Sequence, residues 1–178
     1  MFYDCDKLRF IPVDNWDVSK CKNFVNMFCD CDSLERVNVS KWDMSNATNT
    51  TSMFGSCPNL KELDVSKWDT HNLQDTAAMF YDCRKLTSIP VDNWDVSNCR
   101  YFTNMESLDV SKWDMSNALS ISGMFGGCTE LKELDVSKWD TSNVIHMGGL
   151  FHNDRSLRTV DVSKWDTSEV ANMSYMFN

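Results

Sequence analysis

Proline and glycine are scarce in this 178-residue chain, with three and six copies. No Pro-, Gly- or Ser-rich linker and no low-complexity segment divides it, so it reads as one domain. No apolar run is long enough to span a membrane, which argues against membrane insertion by this segment. Positive charge is in short supply too. Seventeen Lys and Arg stand against 26 Asp and Glu, a formal net charge of −9, and the phosphates of a nucleic acid would be repelled. Histidine is rarer still, and His71, His146 and His152 share no common sequence phase. No nucleophile–base pairing, phosphate-binding loop or metal-ligand spacing is visible, so the sequence reads as a non-enzyme without a cofactor.

What the chain has in plenty is repetition. Its seven tryptophans, Trp16, Trp42, Trp68, Trp94, Trp113, Trp139 and Trp165, are spaced 26, 26, 26, 19, 26 and 26 residues apart, and each precedes an aspartate. LKELDVSKWDT occurs at 60–70 and again at 131–141. IPVDNWDVS opens at Ile11 and recurs at Ile89, and WDMSNA at 42–47 returns at 113–118, so a triplet of units is duplicated and one more added. A constant period over the whole length predicts stacked copies of one supersecondary unit. Unit five is short by seven residues. Aligning Met105 with Met27 and Leu108 with Val37 places the gap against Phe28–Leu34, and either a pinched or looped rung or an omission from the sequence would account for it.

Within a unit, Leu60, Leu63 and Val65 end in period-two alternation, which suits a short strand with one buried face. Equivalent residues are Leu34/Val37/Val39, Leu131/Leu134/Val136 and Leu157/Val160/Val162. After each tryptophan the apolar spacing changes to three and four, as in Val144, Met147, Leu150 and Phe151, or Cys99, Phe102 and Met105. That spacing predicts a short helix, capped by the Asp after Trp or the Ser two residues later. The expected fold is α/β: a leucine-rich-repeat-like solenoid of seven units of about 26 residues, with a parallel strand ladder on one face and short helices on the other. A pure parallel β-helix is the alternative. Residues 1–178 would form a single repeat domain that is part of a longer array.

Eight cysteines raise the question of disulfides or zinc. Cys5, Cys31, Cys57, Cys83 and Cys128 each follow the repeated phenylalanine by three residues, and Cys21 and Cys99 fill an apolar position of the expected helix. A column of buried free thiols is the favoured reading, with oxidation between rungs about 5 Å apart as an open alternative. No C-x-x-C pair supports zinc. The tryptophans would form a structural ladder in the core, with a glycan platform as the other reading. Aspartates after Trp are read as caps of backbone amides in preference to calcium ligands. Lys41, Lys67, Lys112, Lys138 and Lys164 would form a charge-balancing cationic row.

The unit L-x-x-L-D-V-S-K-W-D-T-S-N-V-x-x-M-x-x-M-F followed by x-x-C, with LDVSKWDTSNV at 134–144, resembles the 26-residue repeats of BspA-like leucine-rich-repeat surface proteins. The resemblance covers the whole chain and implies a surface-exposed binding or adhesion array at an extracellular or cell-surface location. Three departures are a shortened unit five, Asp154 where a cysteine recurs, and no signal peptide or lipid-attachment cysteine at the N-terminus.

Two functions follow as expectations. The first is a binding or adhesion module for protein or glycan ligands, with the outward positions of the strand face as contacts: Asp64, Ser66, Asp109, Ser111, Asp135, Ser137, Asp161 and Ser163. The second is a structural protein that stacks end to end into filaments or a scaffold, because Met1-Phe2 and Met176-Phe177 share a repeat phase and neither end carries a polar cap.

Overall fold

A computed structural model describes residues 1–91, 94 and 108–178. Its coils are held together by hydrogen bonds between neighbours one repeat apart. Two-residue strands β1 (Phe10–Ile11) and β2 (Arg36–Val37) pair in parallel, with Phe10 opposite Arg36 and Ile11 opposite Val37. The same line continues as single bridges Arg36↔Glu62 and Glu133↔Thr159. A second line, elsewhere on the coil, runs through Asn23↔Asn49↔Asp75 and Ser120↔His146↔Asn172. Every one of these pairs is offset by 26 residues, so the units they join lie in register on one another.

The expected α/β architecture is overturned: no helix exists among the described residues, and the strands are only two residues long. The apolar three-spacing marks turns. In the second unit the amides of Trp42, Ala47, Met53 and Leu60 donate to the carbonyls of Val39, Met44, Thr50 and Cys57. Each turn points its two end residues inward and leaves the middle pair, such as Ser45 and Asn46, outward, which imitates one face of a helix. The sixth unit shows why a helix cannot continue. Turns close at Thr141–Val144 and Met147–Leu150, His146 between them bridges to the next coil, and Gly149 has φ +65°. A right-handed helix needs φ near −60° throughout. The left-handed corner recurs at Asn26, Ser52, Ala78, Gly123 and Tyr175, the tenth position after tryptophan.

The aspartate after tryptophan caps one of these turns. Asp43 Oδ1 accepts the Ser45 amide at 3.0 Å, and Asp17, Asp69, Asp114, Asp140 and Asp166 do the same with the residue two places on. The capping chemistry is that of a helix N-terminus, applied to four residues instead of ten. Two further expectations change. Cys21 is exposed, because the corner after Trp16 lies open there, and Cys99, Phe102 and Met105 lie outside the described residues.

The core is one continuous apolar cluster running the length of the stack. Phe2, Phe28, Phe54 and Phe80 stack at 5.3–6.1 Å between centroids, as do Phe125, Phe151 and Phe177 at 5.4–5.9 Å. Such ring pairs add about 0.5–1.5 kcal/mol each beyond area burial. Trp42, Trp68, Trp94, Trp113 and Trp139 are buried, Trp165 is half-buried, and Trp16 is 39% exposed. Each indole N–H after the first donates to the valine carbonyl that opens the corresponding turn one coil back: Trp42 to Val13, Trp68 to Val39, Trp94 to Val65, Trp139 to Val110 and Trp165 to Val136, at 2.9–3.2 Å. These bonds span 29 residues, and across the short unit Trp113 still reaches Val91, spanning 22 at 2.9 Å. The seven-residue shortening therefore leaves the tryptophan ladder in register.

Candidate functional site

The outward strand-face row was chosen from sequence, and its residues perform a structural task first. Asp64 Oδ1 accepts both the Ser66 amide (3.1 Å) and the Ser66 hydroxyl (2.7 Å). Asp109 with Ser111 and Asp135 with Ser137 repeat the pair, and Asp161 accepts the Ser163 amide at 3.0 Å. Hydrogen bonds from the serines hold all four carboxyls below the usual carboxylate range, with nearby lysines adding to the effect. The serines are thus orienting groups. The aspartates are exposed anions that cannot swing freely, each with one oxygen committed to the turn.

Three of these four aspartates come together. Asp109, Asp135 and Asp161 occupy one position in successive coils and edge a groove of about 560 Å³. Its floor is Leu108, Leu134 and Val160, and Glu133 and Thr159 form the facing edge. Asp64 stands apart, on the other side of the short unit. The groove follows the first bridge line, where Glu133 pairs with Thr159. Among the described residues no group of three or more His, Cys, Asp or Glu side chains could hold a metal ion, so these carboxylates present a charged edge and no chelating cage.

The corresponding surface of the early coils is neutralised. There Arg9, Phe10, Glu35, Arg36, Lys61 and Glu62 line a groove of about 380 Å³. Glu35 accepts from Arg9 and, at 2.9 Å, from Lys61, one coil on either side. The hydrogen bonds from Lys61 and Arg9 hold the Glu35 carboxyl at about 2. Arg36 lies over the Phe10 ring, 5.7 Å from its centroid. Basic and acidic groups pair here, and the position of the later aspartates is filled by Pro12, Asn38 and Asp64.

Two overlapping stretches, residues 1–108 and 100–178, match the family described as a Mycoplasma protein of unknown function, DUF285. The chain belongs to the DUF285 family. Among solved structures it is similar to a leucine-rich repeat protein from Bacteroides ovatus, at 17% identity over 97% of this chain, with a TM-score of 0.38. The DUF285 chain spans 56% of the length of that protein. No curated protein matches. The pairings offset by 26 residues make the DUF285 chain a repeat protein. Two groove residues of the DUF285 chain, Glu133 and Thr159, were missed by sequence reasoning. They precede the buried Leu134 and the half-buried Val160, and only the coil-to-coil register reveals that they face the aspartate row.

Proposed function

We propose that this DUF285 chain is a non-catalytic binding module whose late coils hold a basic segment of a protein partner. The observation that carries the reading is the groove edged by Asp109, Asp135, Asp161 and Glu133, which sets turn-fixed carboxylates beside an apolar floor. An extended Lys- or Arg-rich segment would lay its aliphatic stems on Leu108, Leu134 and Val160 and its charges against the aspartates. The resemblance to BspA-like surface repeats supports a binding role outside the cell or on its surface, and it is the support for that location.

The test is titration of the purified chain with a fluorescent Lys-rich peptide, an acidic peptide and a neutral glycan set. Binding of the basic peptide that weakens at least tenfold between 50 and 300 mM salt, and is lost in the D109N/D135N/D161N variant, supports the reading. Those numbers are roughly what three or four partly screened charge contacts give. Glycan binding that the triple variant leaves intact would move the function to another surface.

A further inference from the structure

The early coils contain a second chemically distinctive column, and nothing in the binding reading uses it. Cys31, Cys57 and Cys83 are completely buried one above another, and Cys5, half-exposed, stands at the head of the column. Their thiols repeat one contact. Cys31 Sγ donates to the Phe2 carbonyl at 2.9 Å, Cys57 to Phe28 at 3.0 Å and Cys83 to Phe54 at 3.0 Å. The rings of those phenylalanines are separated by 5.7 Å (Phe2–Phe28) and 5.3 Å (Phe28–Phe54), so equivalent groups of adjacent coils sit one short translation apart. Parallel chains paired in register place equivalent Cα atoms about 4.8 Å apart, inside the 4.4–6.8 Å that a disulfide spans.

One pair in the column lies where the coils stack most tightly: Phe28 and Phe54, three residues before Cys31 and Cys57, are 5.3 Å apart, against 5.7 Å for Phe2–Phe28 and 6.1 Å for Phe54–Phe80. The neighbouring Cys57 thiol and the Cys5 backbone draw the Cys31 titration down, against the opposing effect of burial. Cys57 is pushed up by the neighbouring Cys31 side chain and by burial, so it is held as a thiol. Burial pushes Cys83 up to about 12. In the late coils the column fails: Cys128 has Asp154 at the next position.

We infer that Cys31 and Cys57 form an oxidisable pair, a redox modification site that staples two adjacent coils. The reaction is exchange with a small-molecule disulfide. The Cys31 thiolate attacks one sulfur of the oxidant and expels the other half as a thiolate, which takes up a proton. The Cys57 thiol, losing its proton, then attacks Cys31 Sγ and expels the second half of the oxidant. Two protein thiols become one disulfide, and one small disulfide becomes two small thiols. Local opening of the early coils admits the oxidant, and closure of the bond makes that opening harder. Both sulfurs give up their S–H donation to the Phe2 and Phe28 carbonyls, and the bond links positions 26 residues apart.

The experiment exposes the intact chain to oxidised glutathione, blocks remaining thiols with an alkylating reagent, and maps cross-linked peptides without reduction. The expected product joins the peptide carrying Cys31 to the one carrying Cys57. Its formation raises the thermal midpoint by about 5 °C or more, and dithiothreitol reverses it. Because Cys29 lies on the same peptide as Cys31, the C29S variant should keep the cross-link and the C31S variant should lose it. The C83S variant should also keep it. Glutathione found only on Cys5, Cys21 or Cys29, with Cys31 and Cys57 recovered alkylated after unfolding, would overturn the assignment. That result can be read on the unmutated chain, so it does not depend on any variant folding.

Discussion

The early coils (residues 1–91) and the late coils (residues 108–178) share one backbone plan and differ in what they attach to it. Both carry turns at the same phases, a phenylalanine stack and a tryptophan ladder. Their left-handed corners differ. In the early coils these are Asp4, Asn26, Asp30, Ser52, Ser56, Ala78 and Asp82, whereas the late coils use Gly123, Gly127 and Gly149 together with Asn153 and Tyr175. The outward row at the second bridge line changes as well, from Lys22, Thr48 and Gln74 to Leu119 (60% exposed), Ile145 and Ala171. Thiols fill the buried column early, and a carboxyl interrupts it late. Inward columns and corner positions therefore define the coil, and outward rows are free to diverge without altering it.

The largest effects should come from what the halves share. Phe54→Ala and Phe125→Ala each remove a fully buried ring with stacked neighbours, and each should cost about 3–5 kcal/mol in urea unfolding. If the coils unfold as one body, both variants lower a single transition. Two transitions, each sensitive to only one of the substitutions, would split the comparison into independently stable halves.

A smaller effect should separate the halves by pH. Asp154 occupies the cysteine position, accepts the Cys128 amide at 2.8 Å on one oxygen, and leaves the other buried without a partner. Burial pushes its carboxyl up from the ordinary 3.8 to about 7, opposed only by amides of Cys128 and Gly127. Below pH 3.8 both folded and unfolded chains carry the proton, and Asp154 costs nothing differential. Between pH 3.8 and about 7 the unfolded chain loses its proton first, so stability falls as pH rises, and above about 7 the loss is complete. Because the side chain is only partly buried, the screened loss is about 1–2 kcal/mol. Asp154→Cys should recover that amount at pH 8 and flatten this part of the stability–pH curve, leaving stability at pH 3.5 little changed. An equal gain at both pH values would assign the benefit to packing and remove the charge argument.

The repeat period, the register of the tryptophans and the thiol column were legible because each is a fixed phase that identical residues mark, as in LKELDVSKWDT. The helix was misread for a physical reason. Turns that point both ends inward place Val144, Met147 and Leu150 three apart, the same spacing a helical face would give. The signal that distinguishes them is the left-handed corner, and Gly149 or Asn26 hints at it whereas Ala78 and Tyr175 conceal it. In the candidate site, Asp109, Asp135 and Asp161 were visible as a column. Glu133 and Thr159 were not, because their pairing across the groove depends on which residues bridge between coils. Nor could sequence tell that the matching early surface cancels its charge, since the Arg9–Glu35–Lys61 chain links residues 26 apart in three separate coils.

The corners themselves offer the finest test of whether early and late coils are the same object. Ala78 holds φ 54° and Gly149 φ +65° at the same phase of the repeat. A left-handed L-residue costs about 1–2 kcal/mol, and glycine relieves it at an entropic cost of about 0.5–1 kcal/mol in the unfolded chain. A Cβ added at Gly149 would meet only His152 Cβ, at an ordinary 3.8 Å, so the substitution tests the backbone and not a clash. Gly149→Ala should therefore destabilise by about 1 kcal/mol, and Ala78→Gly should stabilise by about 0.5 kcal/mol, in paired urea titrations. Opposite signs mean that early and late corners have the same conformational requirement and differ only in how well each residue meets it. If Ala78→Gly instead destabilised the chain, the methyl group would contribute packing that the late coils lack, and the equivalence of the two corners would end there.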